Sequence, residues 1–227
     1  MTAVMVFLLV IGFTTAASAL TIDYSDLPEG ASSANGAGWT ATGLNYTGED
    51  AYFQWKEQAG WTGVGISGMT NGEIDYTEAI LFEFASPQII EDFTLTLLFT
   101  DDVYGDPNEV AWIITDTGLI YLLEVTGATT ADWIDYLGYT SSGATVTNLS
   151  PANVTSGAAV WNVANPFGDT LVTSLMFTTS DSPVGTNNYS DFAFNELNTA
   201  PVPEPATLIL LGSGLVGLAG FRRKTTR

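Results

Sequence analysis

The chain has 227 residues, no cysteine, no histidine and a formal net charge of −20. Those absences exclude disulfides, thiolate chemistry, zinc sites of the usual kind and every Ser-His or Cys-His catalytic arrangement. Of the five basic residues only Lys56 lies outside the C-terminal group Arg222, Arg223, Lys224 and Arg227, and all 25 acids precede that group, a distribution that excludes nucleic acid as a partner and suits cations or neutral sugars.

Val4 to Phe13 is an apolar run of the length found at the centre of a secretion signal, followed by small residues. Ala17-Ser18-Ala19 forms an A-x-A cleavage site, so residues 1–19 are expected to be a signal peptide removed before Leu20, although the usual basic start is missing. An exported chain without cysteine must draw its stability from its core, with calcium as a candidate structural ion.

From Leu20 to Thr199 short β-branched and aromatic runs alternate with Gly, Asn, Asp, Ser and Thr, and no sustained 3.6-residue apolar stripe occurs. Predicted strands are Ala51 to Lys56, Trp61 to Ser67, Ala79 to Phe84, Ile89 to Phe99, Val110 to Thr115, Leu119 to Val125, Val160 to Val163, Leu171 to Thr178 and Tyr189 to Leu197. Strict alternation in Phe93-Thr94-Leu95-Thr96-Leu97 marks a strand with one buried face. Val110 to Val125 reads as a hairpin whose Gly118 supplies the positive φ of its turn. The expected fold is all-β, a jelly-roll-like β-sandwich forming one ectodomain over residues 20–199.

Three features of this domain could carry chemistry. Glu73, Asp75 and Glu78 cluster where a strand begins, and Asp101, Asp102 and Asp106 lie in the loop after the strand ending at Phe99, with Asn108 and Glu109 beyond. Hard cations take several such oxygens, so both clusters are candidate calcium ligands, although neither has EF-hand spacing and ordinary solvated turns account for the same acids. Trp133, flanked by Asp132 and Asp135 in a segment readable as a short helix or a loop, is the tryptophan expected to be exposed and to contact a ligand, by stacking on a sugar ring. A glycosidase needs two carboxylates across a cleft, but no pair here sits in a catalytic motif, so no catalytic residue is named and no enzyme activity is expected.

At the C-terminal end Ala200-Pro201-Val202-Pro203-Glu204-Pro205 is a stiff spacer incompatible with helix. Thr207 to Phe221 carries no charge and is expected to form a short membrane helix, with Arg222, Arg223 and Lys224 holding its end on the cytoplasmic side. Pro203-Glu204-Pro205, the apolar glycine-containing segment and Phe221-Arg222-Arg223-Lys224 together resemble a PEP-CTERM sorting signal, here residues 200–227. The resemblance implies recognition of Pro203, Glu204 and Pro205 by a membrane exosortase, transient anchoring in the inner membrane, removal of the tail, and delivery to the envelope or extracellular matrix of a Gram-negative bacterium. Gly63-Val64-Gly65-Ile66-Ser67 and Gly72-Glu73-Ile74-Asp75-Tyr76-Thr77-Glu78-Ala79-Ile80 resemble, more locally, jelly-roll ectodomains of PEP-CTERM proteins, which implies a sandwich but no activity. The role expected is structural or adhesive, with extracellular polysaccharide as partner; the alternatives are a carbohydrate-active enzyme and an acidic cation-binding matrix protein.

Overall fold

The computed structural model describes residues 19–45, 47–68, 70–75, 78–100, 108–136, 143–153, 155–179, 190–200, 212, 214 and 215. The expected signal peptide apart from Ala19, the sorting segment with Pro203, Glu204, Pro205, Arg222, Arg223 and Lys224, and the acids Asp101, Asp102 and Asp106 lie outside the described residues. Among those described, no helix is long and apolar enough to cross a membrane.

The described chain is all-β and sandwich-like. Its strands are β1 (Thr21–Asp23), β2 (Ser33–Gly36), β3 (Trp39–Leu44), β4 (Phe53–Gln58), β5 (Trp61–Ile66), β6 (Ala79–Thr96), β7 (Val110–Thr115), β8 (Ile120–Gly127), β9 (Thr130–Asp135), β10 (Thr145–Ser150), β11 (Val160–Ala164), β12 (Leu171–Thr178) and β13 (Ala193–Ala200). All named pairings are antiparallel. The main path runs β4-β5-β13-β6-β12-β7-β8-β9, with β3 and β11 also on β6, β2 on β3, β10 on β11, and β1 on β13.

β6 explains how one continuous sheet encloses a core. Its first half pairs with β3 and β12 through residues such as Phe82 and Glu83, and its second half pairs with β11 and β13 through residues such as Phe93 and Thr94. Phe82 and Phe93 are of opposite parity, so a regular strand would aim them at opposite faces. Both nevertheless pack on Phe177, with ring centroids 5.9 and 5.3 Å away. The strand turns over between them, because Glu83 faces Ser174 while Gln88 already faces Val172, leaving residues 84–87 against a single residue of β12. Pro87, which has no N–H to offer a ladder, falls in that irregularity. Phe194 of β13 completes the junction at 4.9 Å from Phe82 and 5.5 Å from Phe177.

The expected hairpin is present: β7 pairs with β8, and Gly118 at the turn has φ +82°. Asp116 at its tip accepts bonds from the backbone N–H and Oγ1 of Thr173 at 2.9 and 2.6 Å, tying the tip to β12. The two strands predicted over Ala79 to Phe84 and Ile89 to Phe99 are one element, β6. The segment left open between helix and loop is the strand β9, and it overturns the reading of Trp133. Trp133 faces Leu123 across the β8–β9 ladder, is only 4% exposed, stacks on Tyr121 at 5.1 Å and donates its indole N–H to Pro166 O at 3.1 Å. It is a core residue, since strand alternation turns it inward while Asp132 faces solvent.

Removing the ring that both layers share should be severe: Phe177→Ala is expected to lower unfolding free energy by about 3–5 kcal/mol. A reduced urea midpoint with an unchanged denaturant slope would record it.

Candidate functional site

β4 lies at the edge of the sheet, and its two faces differ. Phe53 is buried on one face; Tyr52, Gln54, Lys56 and Gln58 share the other, by the two-residue period of a strand. Tyr52 and Gln54 line an open depression of about 440 Å³ with Glu29, Gly30 and Ser67. Lys56 and Gln58 line a second pocket of about 230 Å³ with Thr70, Glu73, Phe99, Glu109 and Asp191. The row from Tyr52 to Gln58 spans roughly 20 Å at the usual strand rise. Tyr52 is 60% exposed, and Trp55 on the opposite face is 38% exposed, meeting Tyr24 edge-on at 5.5 Å and donating its indole N–H to Leu27 O at 2.9 Å.

The pocket owes its floor to glycine. Gly63 faces Lys56 and Gly65 faces Gln54 across the β4–β5 ladder, so β5 projects no side chain beside these two, and its only side chain on this face is Trp61, opposite Gln58. The segment after β5 folds back over the bare strand: Ile66 N donates to Glu73 O at 2.8 Å, and a Cβ at Gly65 would overlap the Glu73 backbone. Ile74 then pairs with Phe192, its N–H reaching Phe192 O at 2.6 Å. That antiparallel register sets Asp75 opposite Asp191 and turns Glu73, Asp75 and Asp191 to one face.

Lys56 Nζ meets Glu73 Oε1 at 2.5 Å. Asp191 lines the same pocket as Glu73 and Glu109, its carboxyl within reach of both, and Glu109 Oε2 accepts the N–H of Phe99. Burial pushes the Glu73 carboxyl up, with Lys56 opposing. Burial and then the neighbouring Glu73 charge push Asp191 up to about 7.

The acids singled out by sequence therefore separate. Glu73 enters the pocket. Asp75 is 2% exposed; its Oδ2 accepts Thr70 N–H at 2.7 Å, and its Oδ1 has no partner among the described residues. Glu78 turns away from the pocket, accepting Asp75 N–H at 3.3 Å and packing its carboxylate against Gly68. These three acids are buried rather than solvated turn residues. Among the described residues no group of three or more acids is arranged to hold a metal ion. Asp191 was not singled out by sequence, and the only signal that could have found it is the long-range Ile74–Phe192 pairing.

Comparison with known proteins gives one match: a family model for the PEP-CTERM protein-sorting motif covers residues 201–224. No curated protein and no solved structure matches the chain.

Replacing Lys56 with Met leaves Glu73 buried without its cation. The variant is expected to lose about 2 kcal/mol at pH 8, below the range for a fully buried pair because Lys56 is one-third exposed. The deficit should shrink as pH falls, because burial raises the Glu73 carboxyl and it takes up a proton there, and chemical denaturation at pH 8 and at a lower pH would measure it.

Proposed function

Starting from a chain that carries the PEP-CTERM protein-sorting motif, and so is an exported, exosortase-processed protein of the cell envelope, we propose that its β domain is a non-catalytic binding module for extracellular polysaccharide. The observation that carries this reading is the row along β4. Tyr52 offers an exposed aromatic face, Gln54 and Gln58 offer amides, and Glu29 and Ser67 flank the depression. A flat ring for the apolar face of a sugar, next to side chains that both donate and accept hydrogen bonds to its hydroxyls, is the chemistry carbohydrate recognition requires. The length of the row suits a chain of sugars rather than a single ring.

Charge narrows the ligand. With Lys56, the only basic side chain among the described residues, committed to Glu73, the described surface is acidic, which favours a neutral polysaccharide over an anionic one. A glycosidase pair needs about 5 to 9.5 Å between its carboxyl groups across a cleft, whereas Asp191, Glu73 and Glu109 are crowded into one pocket of about 230 Å³, which supports a binding role over hydrolysis.

Co-sedimentation of the purified chain with the neutral fraction of its host's extracellular polysaccharide tests the proposal. Saturable binding is expected, with no sugar released. Tyr52→Ala is expected to weaken it about tenfold, equal to about 1.4 kcal/mol, without changing the unfolding midpoint. Undiminished binding by that variant would remove β4 as the site, and released sugar would replace the binding role with an enzymatic one.

A further inference from the structure

Two ionised carboxylates are acceptors only, so a hydrogen bond between them needs a proton. Asp191 lines one pocket with Glu73 and Glu109, within reach of such a contact with each. The outer ends of this run are already engaged, Glu73 by the Lys56 ammonium and Glu109 by the backbone N–H of Phe99. The charged groups facing Asp191 are Lys56 from β4, Glu73 and Asp75 from the segment after β5, and Glu109 from the segment before β7. One cation thus stands against four acids, and Asp75 adds a buried oxygen without a partner among the described residues.

We propose that Glu73, Asp191 and Glu109 form a proton-operated clasp. The proton held on Asp191 and donated to Glu73 ties the segment preceding β13 to the segment that follows β5, beside Glu109 from the segment preceding β7, and its release loosens the corner that closes one end of the β4 row. The three segments are far apart in the chain, and the Ile74–Phe192 and Ile66–Glu73 bridges bring the first and last together. Lys56 belongs both to the row and to the clasp, so proton loss acts on a residue of the row itself.

The sign follows from linkage. In the unfolded chain Asp191 titrates near its ordinary 3.8, and in the folded chain burial and Glu73 move it to about 7. Between those values the folded state holds a proton that the unfolded state has lost. The clasp's stabilisation is therefore fully present at the acid end and is lost as pH rises through 7. The composition simplifies this window: the chain has no histidine and no cysteine, so besides the buried acids of the pocket only the α-amino group, at about 7.7–8.0, has an ordinary value in the range from about pH 5.5 to 8.5.

The test is potentiometric titration of the full chain in detergent, compared with Asp191→Asn, together with the infrared carbonyl band of a protonated carboxyl. The wild type is expected to take up about one proton more than the variant between pH 8.5 and 5.5, with the band present at pH 6 and gone at pH 8.5. Asp191→Asn is expected to be no less stable than the wild type at pH 8.5 and to lose the pH dependence of its unfolding midpoint across the window. Equal proton uptake by wild type and variant overturns the clasp. Should the variant not fold, a wild-type spectrum without the protonated band at pH 6 overturns it alone. None of these readouts involves a sugar, so the clasp and the polysaccharide reading stand or fall separately.

Discussion

The contact of Phe82 and Phe93 with the same ring, Phe177, imposes a condition on everything around it. Two residues of opposite parity on one strand reach a common core only if the strand turns over between them. β6 does so where four of its residues face a single residue of β12, with Pro87 in the irregular stretch. From that turn follow the division of partners, β3 with the first half and β11 and β13 with the second, and the closure of the sheet over one apolar interior. The end of β6 is flanked on both edges and buried on both faces, so Thr94 and Thr96 are interior residues although alternation gave them a solvent face. Thr94 Oγ1 is satisfied by the Asn162 amide.

The acidic composition and the buried site are connected through the same geometry. Many of the acids behind the charge of −20 are exposed, Asp26, Glu29, Glu57 and Glu91 among them, where solvent screens their charge and it opposes aggregation. The few acids drawn inside are brought there by backbone constraints: a glycine floor on β5, a chain that folds back across it, and a bridge from Ile74 to Phe192. Their desolvation is offset by Lys56, by backbone donors and by proton binding.

Much of the fold was legible in local pattern, and the reasons for the exceptions are particular. β4, β5, β7, β8, β11 and β12 carry β-branched or aromatic residues with clear punctuation, and the Gly118 turn follows from its chemistry. β2, β3 and β10 were not anticipated, because Ser33–Gly36, Trp39–Leu44 and Thr145–Ser150 are rich in Thr, Asn, Ser and Gly and owe their strand form to neighbours rather than propensity. Trp133 was misread because flanking acids suggest solvent, whereas a period-two strand places an acid and a core ring side by side. Within the site, Glu73 stood out by its local company. Asp191, Glu109 and Lys56 join it only through pairings between distant segments, which no local window contains.

β1 and β13 run side by side, with Leu20 N bonded to Thr199 Oγ1 at 2.9 Å and Thr199 N to Leu20 O at 2.9 Å. β13 ends at Ala200 and the sorting motif begins at the next residue, so any pull exerted through the motif enters the domain along β13. That strand is laddered on one side to β6 and on the other to β5 and β1. Antiparallel bonds lie across the strand axis, so tension along β13 loads many of them in shear at once instead of peeling them in turn. The geometry gives the tethered end of the molecule the mechanical strength of its interior.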